Sequence, residues 1–320
     1  MKDGMCMLAS CEVKAKTIIV EQSEVNVHDF PKHEKELTIK REKFTITIKE
    51  PIGVIRKIQI DSANYVNTEN LYFEYAQLEK LLMLLEGSFS NITKLKFENG
   101  IDESQNELLQ LKGKEYMDRR LLFYNTNNVF KTGNQKLCDW EKILTDSIYS
   151  NWITLLEELD IVHQIVLYTT ADNGVPMELK LPFLIECAEP LIELITIETG
   201  RFSSLSPGNR GTSLKKCLGA IISSYGMDIF SGEYAEPVEF TQRLVNTRVR
   251  IMHIKRNSEK DVIAGIDIHL YAIKMSLLYR RVLLDLLGVD YRIYSQNLKR
   301  IVTVWEKHIE QQKIFSIEKS

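Results

Sequence analysis

Residues 139–159 read DWEKILTDSIYSNWITLLEEL, and the pattern of the chain changes at this stretch. Its apolar residues recur every three to four positions, which is the spacing of one face of an α-helix. They are Trp140, Leu144, Ile148, Trp152, Leu155 and Leu159. The stripe predicts an amphipathic helix with both tryptophans in its core. The sequence on either side differs in kind, so this stretch decides the fold class.

The sequence before this stretch alternates between apolar and polar residues. Phe44-Thr-Ile46-Thr-Ile48 has the two-residue period of a strand, and a second β-like run covers 55–60. Residues 74–86 change to a helical period, and Gly87 supplies a stop. Short apolar runs return at 92–97 and 121–124. The first 130 residues therefore predict a strand-rich α+β unit with at least one helix.

The sequence after this stretch is helical in pattern. We predict helices over these ranges: 160–170, 178–199 with a bend at Pro190, 213–224, 237–254, 262–287 and 291–312. A chain of 320 residues is long enough for two domains. We predict an α+β fold with a strand-rich α+β domain at 1–135 and an all-α bundle at 136–320.

The composition excludes several classes of protein. With 44% hydrophobic residues the chain is not dominated by disorder, and no apolar run reaches the length of a membrane-spanning helix. The N-terminal residues lack the apolar stretch of a signal peptide, so we expect a cytoplasmic protein. The formal net charge of −3 counts, by itself, against a nucleic-acid partner.

The cysteines and histidines predict neither a disulfide framework nor a metal site. The chain has five cysteines, an odd number, and six scattered histidines. Cys6 and Cys11 are close in sequence, but no second Cys/His pair follows at zinc-ligand spacing. The N-terminal half has no phosphate loop. We expect no metal and no cofactor.

One spacing in the helical half carries chemistry, namely the Arg-x4-His of Arg248 and His253. An imidazole near its ordinary pKa can accept the proton of an RNA 2′-hydroxyl or donate one to the leaving 5′-oxygen. A guanidinium can hold the scissile phosphate and stabilise its developing charge. When the 2′-hydroxyl is the nucleophile, the reaction needs no metal.

The spacing alone leaves a plain structural alternative open. Five residues along an unbroken helix turn by about 140°, so the two side chains do not share a face. They converge only where the helix ends between them or where two chains combine their residues. In the alternative, His253 is a histidine favoured by the dipole at a helix C-terminus, and Arg248 is a surface cation.

The local charge favours a ligand that bears phosphate. Glu259 is the only acidic residue between 241 and 260, while the basic ones are Arg243, Arg248, Arg250, Lys255, Arg256 and Lys260. A one-signed cluster around the candidate pair is typical of nucleic-acid contact. As substrate-binding candidates we name Asn246, Thr247, Arg250, Lys255 and Arg256.

These features together resemble the Apea-like HEPN group, over about 138–312. They are the tryptophan-bearing helix from Asp139 to Leu159, the motif Thr247-Arg248 to His253, and the leucine-rich helix that ends at Gly288. The α+β region is similar, more loosely, to the N-terminal domain that accompanies this group. Val249 departs from the family pattern, in which the residue after the arginine is usually polar.

The resemblance implies a metal-independent endoribonuclease that acts in bacterial toxin or anti-phage defence. It also implies a homodimer or a higher even oligomer, in which Arg248 of one protomer and His253 of another meet at an interface. Such an interface would bring together two side chains that a single helix holds about 140° apart. Two readings stay open: a ribonuclease whose N-terminal domain responds to a protein trigger, or a non-catalytic RNA-binding or assembly module. The apolar Val249 fits either packing within the helix or the loss of catalysis.

Overall fold

The computed structural model describes residues 13–23, 34–50, 55–87, 91–107, 109, 135–171, 176–205, 213–233, 235–253 and 261–317. They belong to two compact units. The sheet unit comprises Met1–Gly133 and Asp139–Ile153, and the helical unit comprises Asn134–Cys138 and Thr154–Ser320. A strand-rich region is followed by helices, so the predicted α+β class is confirmed. The division at residue 135 into independently folding domains stays a prediction.

The sheet unit contains a five-stranded antiparallel sheet in the order β2-β3-β4-β1-β5. Its strands are β1 (Lys14–Ser23), β2 (Lys35–Arg41), β3 (Phe44–Glu50), β4 (Ile55–Asn67) and β5 (Asn91–Glu98). The two-residue period predicted β3 correctly, because Ile46 and Ile48 are fully buried on one face. The apolar run at 121–124 lies outside the described residues.

Helix α1 (Thr68–Glu86) packs on this sheet and ends at Gly87, whose φ of 74° is the left-handed conformation predicted for the stop. The tryptophan segment belongs to the same unit up to residue 153. Trp152 is fully buried, and its Nε1 donates a hydrogen bond of 2.9 Å to the carbonyl oxygen of Gln77 in α1. The predicted burial of Trp140 and Trp152 is confirmed, since neither is accessible to water.

The region from residue 139 onward is helical, with 3-10 turns at Trp140–Lys142, Ser203–Leu205 and Tyr291–Ile293. Its α-helices are α2 (Asp146–Leu159), α3 (Ile161–Ala171), α4 (Met177–Glu186), α5 (Ala188–Thr199), α6 (Leu214–Tyr225), α7 (Pro237–Met252), α8 (Asp267–Leu286) and α9 (Ser295–Ile317). The buried face of α8 forms a central part of the helical unit, where α3, α4 and α9 pack against it.

One predicted helix is divided in the structure. The expected helix over 178–199 is two helices, α4 and α5, which meet at Cys187. Pro190 favours the break, because it has no N–H to donate to the carbonyl of Glu186 and its fixed φ suits the first turn of the helix that follows. Glu186 thereby becomes the last residue of α4.

Two predicted helix starts were too early. The helix expected from Asp139 begins at Asp146 after a 3-10 turn, and the helix expected from 262 begins at Asp267. The segment at 261–263 is instead held against α7 by hydrogen bonds to its backbone. That contact brings the segment to the helix that carries the candidate site.

Candidate active site

Helix α7 places Arg248 in its last two turns and ends just before His253. Pro237 begins the helix, and its fixed φ suits the first turn. His253 caps the C-terminus with a non-helical φ of −101°, and its backbone N–H donates to the carbonyl of Val249 at 3.2 Å. Its side chain is exposed. The imidazole is therefore free to meet a ligand from solvent, as a proton-transfer group requires.

Arg248 is held by a carboxylate from another helix. Its Nε donates a hydrogen bond to Oε1 of Glu186, the last residue of α4, and α4 packs against α7. The side chains of Arg248 and Glu186 are 26% and 36% exposed. The guanidinium is thus anchored on one edge and still reachable from solvent.

Thr247 is part of the packing of the unit. Its side chain is fully buried, and its hydroxyl donates to the carbonyl of Arg243 at 2.7 Å. The same oxygen accepts the N–H of Ile263 at 2.8 Å. The interpretation of Thr247 as a substrate-binding residue stays a prediction, but its hydroxyl already has a donor and an acceptor in the folded chain.

Asn246 makes a similar contact one residue earlier. Its Nδ2 donates to the carbonyl of Asp261 at 3.1 Å, and its Oδ1 accepts from Gln242 at 3.0 Å. Arg243 adds an ion pair with Asp261 at 2.8 Å. The segment 261–263 is therefore held against α7 by three side chains of that helix, Arg243, Asn246 and Thr247.

The described members of the basic cluster differ in whether a carboxylate pairs with them. Arg243 and Arg248 are each paired with a carboxylate from outside 241–260. Arg250 is exposed at the end of α7 and makes no ion pair with any residue that the structure describes. Lys255 and Arg256 lie outside the described residues. Among the substrate-binding candidates with described positions, Arg250 is the one whose charge faces solvent without a carboxylate.

No hydrogen bond links Arg248 to His253 among the described interactions. Between their directions on α7 runs an apolar stripe of Val238, Val245, Val249 and Met252. Val238 is 60% exposed and Met252 is 39% exposed, while Val245 and Val249 are half-buried. Packing within the chain therefore covers this stripe only in part, which weakens the interpretation of Val249 as a core residue.

The neighbouring thiol is not a candidate nucleophile. Burial, with a further contribution from the Glu186 carboxylate, raises the pKa of Cys187 to about 12. The thiolate, which is the reactive form, is therefore scarce at neutral pH. Within the described part of the chain no three His, Cys, Asp or Glu side chains are grouped as a metal site would require.

Residues 196–293 match the family model described as Apea-like HEPN. This segment is similar to an Apea-like HEPN domain. The matched segment contains Arg248, His253 and the whole of α7 and α8, whereas Glu186 precedes it. No curated protein and no solved structure matches the chain. The match supports a function in RNA cleavage or RNA binding.

Sequence reasoning missed Glu186. It lies 62 residues from Arg248 along the chain and outside the basic cluster, so no local spacing connects the two. The sequence feature closest to it is Pro190, which predicts an interruption of the helix near residue 186. It does not predict that this helix packs against α7. None of the described helices is long and apolar enough to cross a membrane.

Proposed function

We propose that this protein is a metal-independent endoribonuclease that cleaves single-stranded RNA or RNA loops. It would act in the cytoplasm in bacterial toxin or anti-phage defence. The observation that carries the proposal is that both residues of the Arg-x4-His motif keep reactive groups accessible to solvent at the end of α7. Buried, fully paired side chains at these positions would have argued against chemistry.

The roles follow from the chemistry of the two groups. The imidazole of His253 takes the proton of the 2′-hydroxyl, whose oxygen attacks the adjacent phosphorus, or protonates the 5′-oxygen as its bond to phosphorus breaks. Arg248 binds the non-bridging oxygens and stabilises the charge that grows on them. The products are a 2′,3′-cyclic phosphate and a free 5′-hydroxyl. Arg250, Lys255 and Arg256 would bind neighbouring phosphates.

A homodimer would complete the site. Arg248 and His253 flank the apolar stripe on opposite sides, about 140° apart. When two such helices pack stripe against stripe around a two-fold axis that runs along them, the arginine side of one copy faces the histidine side of the other. The partial exposure of Val238 and Met252 supports this partner, because each copy would cover apolar surface of the other.

The test is cleavage of a labelled single-stranded RNA in buffer with EDTA. The purified protein should produce 2′,3′-cyclic phosphate ends, and His253→Ala should lower the rate by about 10²–10⁴ while leaving thermal unfolding unchanged. His308→Ala, a change at an exposed histidine on α9, is the matched control and should cut at the wild-type rate. Cleavage that requires added divalent metal would contradict the mechanism.

A second function, RNA binding or assembly without cleavage, is favoured by Val249. A polar side chain at this position would help to position phosphate, and valine cannot do so. In this case RNA binding would survive His253→Ala unchanged and no cleavage would occur with any trigger. The domain predicted at 1–135 would then present the bound RNA to a protein partner, whereas in a ribonuclease it would receive the activating signal.

A further inference from the structure

We infer that Glu186 is a positioning residue for Arg248, and that it sets which edge of the guanidinium meets phosphate. This inference rests on the proposed function of the site, and it adds to it a residue that lies outside the matched HEPN segment. The observation that carries it is the ion pair between Nε of Arg248 and Oε1 of Glu186 across α7 and α4.

The atoms in contact decide the consequence. A guanidinium presents two edges to an acceptor, one formed by Nε and one Nη and the other formed by both Nη atoms. The Nε–H of Arg248 already donates to the carboxylate of Glu186, and Arg248 makes no further hydrogen bond among the described interactions. The edge with both Nη atoms is therefore left for a bidentate contact with two phosphate oxygens.

The exposure of the pair separates it from the buried ion pairs of Arg56. Arg56, whose side chain is 2% exposed, binds Glu50 and Glu86 in the interior of the sheet unit, where no phosphate can reach it. The Arg248 side chain is 26% exposed. An arginine that is anchored by one edge and open at the other is preorganised, so less side-chain entropy is lost when RNA binds.

The fold holds Glu186 in a defined place. It is the last residue of α4, which packs against both α7 and α8. Cys187, directly after it, is buried. The carboxylate therefore projects from a fixed point on the scaffold, and a fixed support is what accurate placement of a phosphate-binding group requires.

The experiment compares variants at Glu186 with a matched change on the same helix. Glu186→Ala should lower kcat for the labelled RNA by about 10- to 100-fold, because a misplaced Arg248 binds the transition state poorly. Glu186→Gln, which keeps an oxygen acceptor for Nε–H, should fall between the wild type and Glu186→Ala. Glu178→Ala, at an exposed position of α4, should cut like the wild type.

A double-mutant cycle distinguishes positioning from a general effect on the fold. In the background of Arg248→Ala, the change Glu186→Ala should have almost no further effect, since it acts through a side chain that is already missing. If instead the two losses multiply, Glu186 acts by another route and the inference is overturned. The same holds if Glu186→Ala leaves both kcat and RNA affinity unchanged.

Two further readouts separate this inference from the proposed ribonuclease activity. A 2′-O-methyl version of the labelled RNA cannot be cleaved by this mechanism, because the attacking 2′-hydroxyl is blocked. Its affinity should fall in Glu186→Ala and not in Glu178→Ala, whether or not the protein cuts RNA. With ¹⁵N-labelled arginine, the Arg248 Nε–H should exchange slowly with water in the wild type and rapidly in Glu186→Ala. Rapid exchange in the wild type would overturn the inference even if cleavage were observed.

Discussion

Thr247 joins helix α7 to the segment that returns beside it, and its hydroxyl has two partners. It donates to the carbonyl of Arg243 and accepts from the backbone N–H of Ile263, and both Thr247 and Ile263 are buried. A buried N–H that loses its acceptor has no water to replace it. The position immediately before Arg248 therefore contributes mainly to stability.

We expect Thr247→Val to lower the free energy of unfolding by about 1–3 kcal/mol, because the valine methyl cannot accept the Ile263 N–H. Thr247→Ser keeps the oxygen and should lose less, since only a methyl group is removed. Urea unfolding monitored by tryptophan fluorescence measures both variants. Equal stability of Thr247→Val and the wild type would show that the hydrogen bond adds nothing, and would leave substrate binding as the role of the hydroxyl.

Helix α7 carries the candidate residues Arg248 and His253 on the two flanks of an apolar stripe rather than on one face. Met252 and Val238 are 39% and 60% exposed, so they contribute little to the core of their own chain. A hydrophobic stripe with this exposure is expected to bury itself against another surface. In the proposed dimer that surface is the same helix of a second copy.

Met252→Glu tests the stripe at the level of the helix. A carboxylate in the proposed interface would be desolvated opposite its counterpart, so we expect a monomer at concentrations where the wild type is a dimer. Thermal unfolding should remain close to the wild type after allowance for any loss of dimer, because the residue is exposed within the chain. Light scattering measures the mass, and the control Ile314→Glu, at an exposed apolar position of α9, should leave it unchanged.

At the scale of the molecule, local patterns predicted which elements form but not what they contact. The two-residue period predicted β3, and the period near 3.6 predicted α1. Each period marks which face of the element is buried, so it can be recognised within the element alone. The tryptophan stripe predicted burial correctly, yet it could not show that Trp152 would bond to a carbonyl of α1 in the sheet unit. Such partners are set by packing between elements far apart in sequence.

The same limit applies to the candidate site. Arg248 and His253 were found by spacing, because the motif is local, whereas Glu186 depends on the approach of α4 to α7. The ion pairs of Arg243 and Arg248 were missed for the same reason, since Asp261 and Glu186 lie outside the window that was counted. Sequence predicts which groups are present, and the fold determines how much of their charge is left for a ligand.

Mixing two inactive variants tests whether the site belongs to one chain or to two. In a dimer that combines Arg248→Ala with His253→Ala, one of the two composite sites receives an intact arginine from one copy and an intact histidine from the other. Random pairing makes half of the dimers mixed, so an equimolar mixture should recover about one quarter of wild-type cleavage.

Recovery depends on subunit exchange, so the two variants are also coexpressed with different tags and the mixed dimer is isolated through both. A site contained within one chain would give no recovery in either preparation, because every chain would lack one group. As a control, Arg248→Ala coexpressed with itself should stay inactive. Together with the loss of dimer in Met252→Glu, recovery in the mixed dimer would place the arginine and the histidine of each active site on different protomers.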